Sequence, residues 1–175
     1  MNYTQLHLTL SHLPVLGTIF GILLLAYGLI RNNDEVKKIS LGVFVLMAAA
    51  TLPVYFTGEP AEEIVEDLAG VSETIIEVHE DAALYALILM EVTGVLALLN
   101  LILIRRSYGA KLLAVTFACS IIAAGTILWT ANLGGKIRHT EIGASSRQTE
   151  TGEEHGEDSE HEEEDDDEED DEDHD

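Results

Sequence analysis

Four long apolar segments constrain the fold of this 175-residue chain more than any other feature. They hold 18, 18, 23 and 24 residues and only one acid between them: Leu13–Ile30, Ile39–Phe56, Ala82–Ile104 and Leu112–Gly135. About 20 helical residues cross the hydrocarbon core of a bilayer. The pattern therefore predicts an all-α protein, a four-helix transmembrane bundle in contact with lipid. The predicted spans cover about residues 5–30, 38–57, 75–104 and 110–134.

The distribution of basic residues predicts how this bundle is oriented. Six of the nine bases lie in the two short hairpin loops: Arg31, Lys37, Lys38, Arg105, Arg106 and Lys111. The other three follow the last span: Lys136, Arg138 and Arg147. Because basic loops are retained in the cytoplasm, we expect both hairpin loops inside and both termini outside.

The outer loop between spans two and three predicts a short helix. Gly58-Glu59-Pro60 interrupts the chain, and Ile64, Val65 and Leu68 then recur at helical spacing among acids. Such a pattern is typical of an amphipathic helix lying on the membrane surface. We place it at residues 60–69, within a membrane domain that covers residues 1–139.

The C-terminal region, residues 140–175, has a different composition. Nineteen of the 32 acids lie between Glu150 and Asp175, and residues 162–173 are twelve acids in succession. Such a run cannot bury a core, so the region is predicted to be a disordered tail. It would attract a basic protein or divalent cations, or serve only as a solvated extension. Since no basic patch exists, nucleic-acid binding is excluded.

Four histidines form the candidate site. His7, His12, His79 and His139 all lie at predicted outer ends of spans. Neutral imidazole binds haem iron and transition metals, although histidine also occurs simply as an interfacial residue. His7 and His12 are about 140° apart around a helix, so the two ligands should come from different helices. We expect His12 and His79 as the pair for haem b or for a transition metal.

The remaining candidate residues have secondary roles. His7 is the substitute for His12 on the first helix. His139 is expected to hydrogen-bond a haem propionate or to serve a second site, and Arg138 to pair with a propionate. Glu91 lies near the middle of the third span, where an ionisable group is a functional candidate. We expect it to face the bundle interior, as a proton relay or as a hydrogen-bond donor.

A family resemblance supports this interpretation. The stretch from Leu6 to Pro14 has two histidines five apart and a proline two further on, and it resembles the N-terminal signature of a bacterial membrane-protein family, domain of unknown function 2231. Thr57-Gly58, His79 and Gly134-Gly135 resemble later motifs of that family, over residues 5–142. Family members fused to c-type cytochrome domains imply electron transfer and haem. The chain lacks the proline that usually follows the first histidine.

Together these observations predict an integral protein of a bacterial inner membrane. The expected function is that of a haem-b-type electron-transfer protein or subunit, not itself an enzyme, with a cytochrome or other redox protein as partner. A divalent-metal-binding membrane protein and a structural accessory subunit of a larger complex are the alternatives. No nucleophile elbow, P-loop, HExxH or CxxC motif is present, which gives hydrolase, nucleotide-binding and zinc-protease functions no support.

Overall fold

The structure, a computed structural model, describes residues 3–66, 71–103 and 109–153, and in the last stretch the side chains of 110–137. These parts of the chain form five helices: α1 Tyr3–Ile30, α2 Asp34–Phe56, α3 Gly58–Val65, α4 Glu73–Leu103 and α5 Gly109–Glu153. Four of them are long and apolar enough to cross a membrane. The prediction of an all-α, multi-pass membrane protein with four spans is therefore confirmed.

Two predicted boundaries differ from those of the structure. The short outer helix begins at Gly58 and ends at Val65, whereas it was expected at 60–69, and residues 67–70 lie outside the described part. The backbone of α5 continues to Glu153, so its last turns include residues assigned to the acidic tail. Residues 154–175 are outside the described chain, and the disorder of the tail stays a prediction.

The four long helices pack in the ring order α1, α2, α4, α5. In this arrangement α1 and α4 run in the same direction and face each other diagonally. The Thr18 hydroxyl reaches across the centre to the sulfur of Met90, at 3.5 Å. The core consists of buried apolar side chains: Leu25, Leu41, Phe44, Met47, Ala48, Ala86, Met90, Ala97, Ala123 and Ile127.

Small residues set the contact between α1 and α2. A Cβ atom at Gly21 would lie 2.7 Å from Cε1 of Phe44, and one at Gly17 would collide with Met47. Without side chains at these positions the two backbones approach closely, as in other membrane helix pairs. The turn that joins them uses Asn32 at φ 48°. Asn33 caps α2, since its side chain accepts from the backbone of Glu35 and Val36.

Hydrogen bonds between helices add to this packing in the apolar interior. Ser40 Oγ donates to the carbonyl of Gly21 at 2.8 Å and so joins α2 to α1. Asn100 Nδ2 donates to Thr116 Oγ1 at 2.7 Å and joins α4 to α5. Polar side chains within a membrane bundle stabilise it when they find such partners. These hydrogen bonds hold α1 to α2 and α4 to α5 in defined positions, and the side chains at the ends of the bundle are positioned with them.

Candidate functional site

The start of α1, the end of α2, α3, the start of α4 and residues 130–135 of α5 meet at one end of the bundle, here called the histidine end. His7 is half-buried there. Its Nδ1 lies 3.0 Å from the carbonyl oxygen of Val54 on α2. It is also 3.2 Å from Oγ1 of Thr57, whose hydroxyl donates to the carbonyl of Pro53 at 2.9 Å. His7 is thus attached to the last turn of α2.

His79, at the start of α4, has the same kind of attachment to a different helix. Its Nδ1 lies 3.1 Å from the carbonyl oxygen of Thr130 on α5. The ring packs over Gly134, where a Cβ atom would lie 3.1 Å from Cε1 of the imidazole. Gly58 leaves similar room beside His7, at 3.7 Å from Cε1. Each ring therefore lies close to the backbone of a neighbouring helix.

These hydrogen bonds determine which ring nitrogen carries the proton in the neutral forms of His7 and His79. A carbonyl oxygen only accepts, so in His7 and in His79 the proton is on Nδ1 and the lone pair is on Nε2. Histidines that bind metals commonly donate their other ring N–H to a carbonyl in this way, which orients the ring. The histidine end thus presents two oriented Nε2 atoms from diagonal helices.

His12 lies in different surroundings from the other two histidines. Its side chain is exposed, and its Nδ1 lies 2.6 Å from the carbonyl of Leu8 on its own helix. It borders a shallow surface depression lined by Gln5, Leu8 and Thr9 of α1. The structure therefore brings His7, and not the preferred His12, to the same end of the interior as His79. The sequence contained an indication of this. Gly21 faces α2 through its contact with Phe44, and around α1 His7 is only about 40° from Gly21, whereas His12 is about 180° away.

The other predicted site residues on α5 are less informative. Side chains of His139 and Arg138 lie outside the described part of the chain, so their expected contacts with propionates stay predictions. Lys136 is exposed at the end of the described side chains. Within the described residues, no three or more His, Cys, Asp or Glu side chains are grouped so that they could hold a metal ion.

A pair of carboxyl groups at the histidine end was not predicted. The carboxyl groups of Glu62 on α3 and Glu80 on α4 lie close enough to share a proton through a hydrogen bond. Burial first, then this hydrogen bond and the charges of Glu80, Glu66 and Glu59, raise the pKa of Glu62 to about 7. The sequence shows acids at both places but not that the fold brings Glu62 close to Glu80.

Glu91 is half-buried, with its Oε1 atom buried and without a hydrogen-bond partner among the described residues. The neighbouring Met90 is fully buried in the core. Gly94 packs against Ala48 of α2. Glu91 therefore lies beside the α2–α4 contact and not in the bundle interior, where it was expected.

Comparisons of the chain with family models, with curated proteins and with solved structures find no match. The geometry of the histidine end is therefore the basis for assigning a function.

Proposed function

We propose that the protein is a membrane-integral haem protein or subunit that transfers electrons, in which His7 and His79 would be the residues that hold a b-type haem. One observation carries the proposal. Both imidazoles donate Nδ1–H to a backbone carbonyl of a neighbouring helix. This orients the rings and leaves both Nε2 lone pairs without a partner among the described residues. A ligand pair on separate helices is what a bis-histidine haem requires.

The number of ligands favours haem over a bare metal ion. A porphyrin supplies four nitrogen ligands itself, so the protein needs to add only two. A transition metal bound by protein alone usually takes three or four side chains, and the described residues form no such group. When bound, haem would supply one-electron redox chemistry. The carbonyl groups of Val54 and Thr130 would orient the two histidines that hold it.

The same proposal includes location and partners. The basic hairpin loops support an orientation in which the histidine end faces the outside of a bacterial inner membrane. A soluble cytochrome or similar redox protein would exchange electrons there. Beyond α5, the acidic tail would attract a basic partner or divalent cations.

The test is a reduced-minus-oxidised absorbance spectrum of the full chain, purified after expression with added haem. A sharpened band on reduction is expected in the wild type. His7→Ala and His79→Ala should each abolish it, while His12→Ala, the matched control on α1, should keep it. All variants are first checked for membrane insertion.

The outcomes separate the possibilities. Loss of the band in His12→Ala but not in His7→Ala would replace His7 by His12 as the ligand. A wild type without haem at stoichiometric amounts would defeat the proposal. Metal that survives dialysis in such a protein would favour the divalent-metal alternative.

A further inference from the structure

The end of α1 carries a cation and a hydroxyl group on one side of the helix. Tyr27 is 55% exposed, and Arg31, directly after the last residue of α1, is also exposed. The backbone N–H of Arg31 donates to the carbonyl of Tyr27 at 2.9 Å, so the helical path continues through Arg31. The two side chains are therefore one turn apart, about 6 Å along the axis and about 40° around it.

This side of α1 faces away from the bundle and is otherwise apolar. Leu25, which is fully buried in the core, is about 160° around the helix from Tyr27. Phe20 and Leu23, both more than half exposed, lie within about 40° of Tyr27 in the turns before it. Because α1 is long and apolar enough to cross a membrane, these side chains contact the acyl chains of lipids.

The length of α1 places Tyr27 and Arg31 at the depth of the lipid headgroups. Its 28 residues are about 42 Å long, whereas the hydrocarbon core is about 30 Å thick and the bilayer with its headgroups about 40–45 Å. Side chains at the last turn are therefore level with the phosphate groups of one leaflet. Tyrosine is enriched at this depth because its ring is apolar and its hydroxyl group is polar.

The acids in the following turn do not neutralise Arg31. Asp34 and Glu35 are each paired with a lysine, at 3.0 Å and 2.7 Å. Within the part of the chain whose side chains the structure describes, neither the guanidinium of Arg31 nor the hydroxyl of Tyr27 has a hydrogen-bond or ion-pair partner. The end of α1 thus presents one uncompensated positive charge beside a free hydrogen-bond donor.

We propose that Arg31 and Tyr27 bind the headgroup phosphate of phosphatidylglycerol, an anionic phospholipid whose acyl chains lie along Phe20 and Leu23. A guanidinium group donates two parallel hydrogen bonds to phosphate oxygens, and the phenol hydroxyl donates to a further oxygen of the headgroup. The charges of the site and of this lipid are complementary, and the apolar side of α1 continues the match into the hydrocarbon core.

The same charge distinguishes phosphatidylglycerol from a zwitterionic lipid. Phosphatidylcholine has the same phosphate, but its ammonium group repels a nearby cation and makes the headgroup neutral. One arginine near a membrane surface favours anionic lipid by about five-fold. We therefore expect a preference of about this size for phosphatidylglycerol at the end of α1.

The first experiment measures lipid preference beside the site in the full chain. Trp129 is replaced by phenylalanine, and Leu23→Trp places a fluorescent reporter against the bound acyl chains. In vesicles that contain both lipids, quenching by phosphatidylglycerol with brominated acyl chains is compared with quenching by brominated phosphatidylcholine. Phosphatidylglycerol should be preferred about five-fold. Equal preference for the two lipids would overturn the proposal.

The second experiment adds substitutions to the reporter protein. Arg31→Gln should remove most of the preference, and Tyr27→Phe should reduce it by about two-fold, as expected for one exposed hydrogen bond. Lys38→Gln is the matched control, because it removes the same charge at the same end of the bundle, from a lysine that is already paired with Glu35. A preference that persists in Arg31→Gln would overturn the proposal. So would an equal loss in Lys38→Gln, since the cause would then be diffuse surface charge.

Two measurements on the reporter protein alone do not depend on the folding of these variants. Raising NaCl from about 0.1 M to 1 M shortens the Debye length from about 10 Å to 3 Å, which should lower the preference because Arg31 is exposed. Millimolar inorganic phosphate should leave it unchanged, since this ion has no acyl chains to pack along α1. A preference insensitive to salt, or one abolished by inorganic phosphate, would overturn the proposal.

Discussion

Replacing Gly134 by alanine should disturb His79 specifically, and Gly135→Ala provides a control one residue away. An added Cβ at position 134 would lie 3.1 Å from Cε1 of His79, whereas one at 135 meets nothing within 4 Å. Carbon atoms in ordinary contact are at least about 3.5 Å apart. The imidazole must therefore move by about 0.4 Å in the first variant and not in the second.

The magnitude follows from the hydrogen bond that this movement affects. His79 Nδ1 is 3.1 Å from the carbonyl of Thr130, already near the long end of the usual range. Lengthening it by a few tenths of an ångström removes most of a bond worth about 1 kcal/mol. Both substitutions gain the same helix propensity, so the two variants should differ by no more than about 1 kcal/mol in the free energy of unfolding. The tautomer ratio of His79 should shift by about five-fold.

The assay is ¹⁵N NMR of the histidine side chains in lipid, with His79 assigned by its loss in His79→Ala. The wild type and Gly135→Ala should show the Nδ1–H tautomer, and Gly134→Ala should show a larger share of Nε2–H. If the His79 signals of the two glycine variants are the same, the ring does not pack over Gly134, and the orientation of Nε2 argued above is wrong.

Two further predictions concern the rest of the bundle. Gly94→Ala places a methyl group against Ala48, while the methyl group of Gly125→Ala meets nothing within 4 Å. Because of overpacking, the free energy of unfolding in bicelles should be about 1–3 kcal/mol lower for Gly94→Ala than for Gly125→Ala. Equal stabilities would show that Gly94 does not pack against Ala48. The raised pKa of Glu62 means that the folded protein keeps a proton between pH 4.5 and about 7 that the unfolded chain releases. The free energy of unfolding should accordingly fall as the pH rises through this window and level off above it, and Glu62→Gln should flatten that slope, unlike Glu63→Gln.

The spans were predictable because their composition leaves few alternatives. Uncharged runs of 18 residues or more have to be helical in a bilayer, where every backbone group needs an internal partner. The ends of the helices were less predictable, since polar capping determines them. The second helix begins at Asp34 and not at 38, because the side chain of Asn33 accepts two backbone N–H groups there.

The sequence also pointed to the histidines but not to the pair that faces inward. The predicted spans show that these histidines lie at the outer ends of helices. Which of His7 and His12 faces the interior depends on the rotation of α1 about its axis. Gly21 fixes that rotation through its contact with Phe44, and this turns His7 toward α2 and His12 away from it.

The depth of Glu91 was likewise predictable from the sequence, whereas its direction was not. Depth needs only a count of residues from the end of the span. Direction depends on Gly94, three residues further along, because its contact with Ala48 turns Glu91 to the edge of α2. His79 is held in the same manner over Gly134. On α1 and α4 the closest glycine contacts, at Gly17, Gly21 and Gly94, face the neighbouring helix, so on these two helices the angular distance of a polar residue from such a glycine indicates the direction of its side chain.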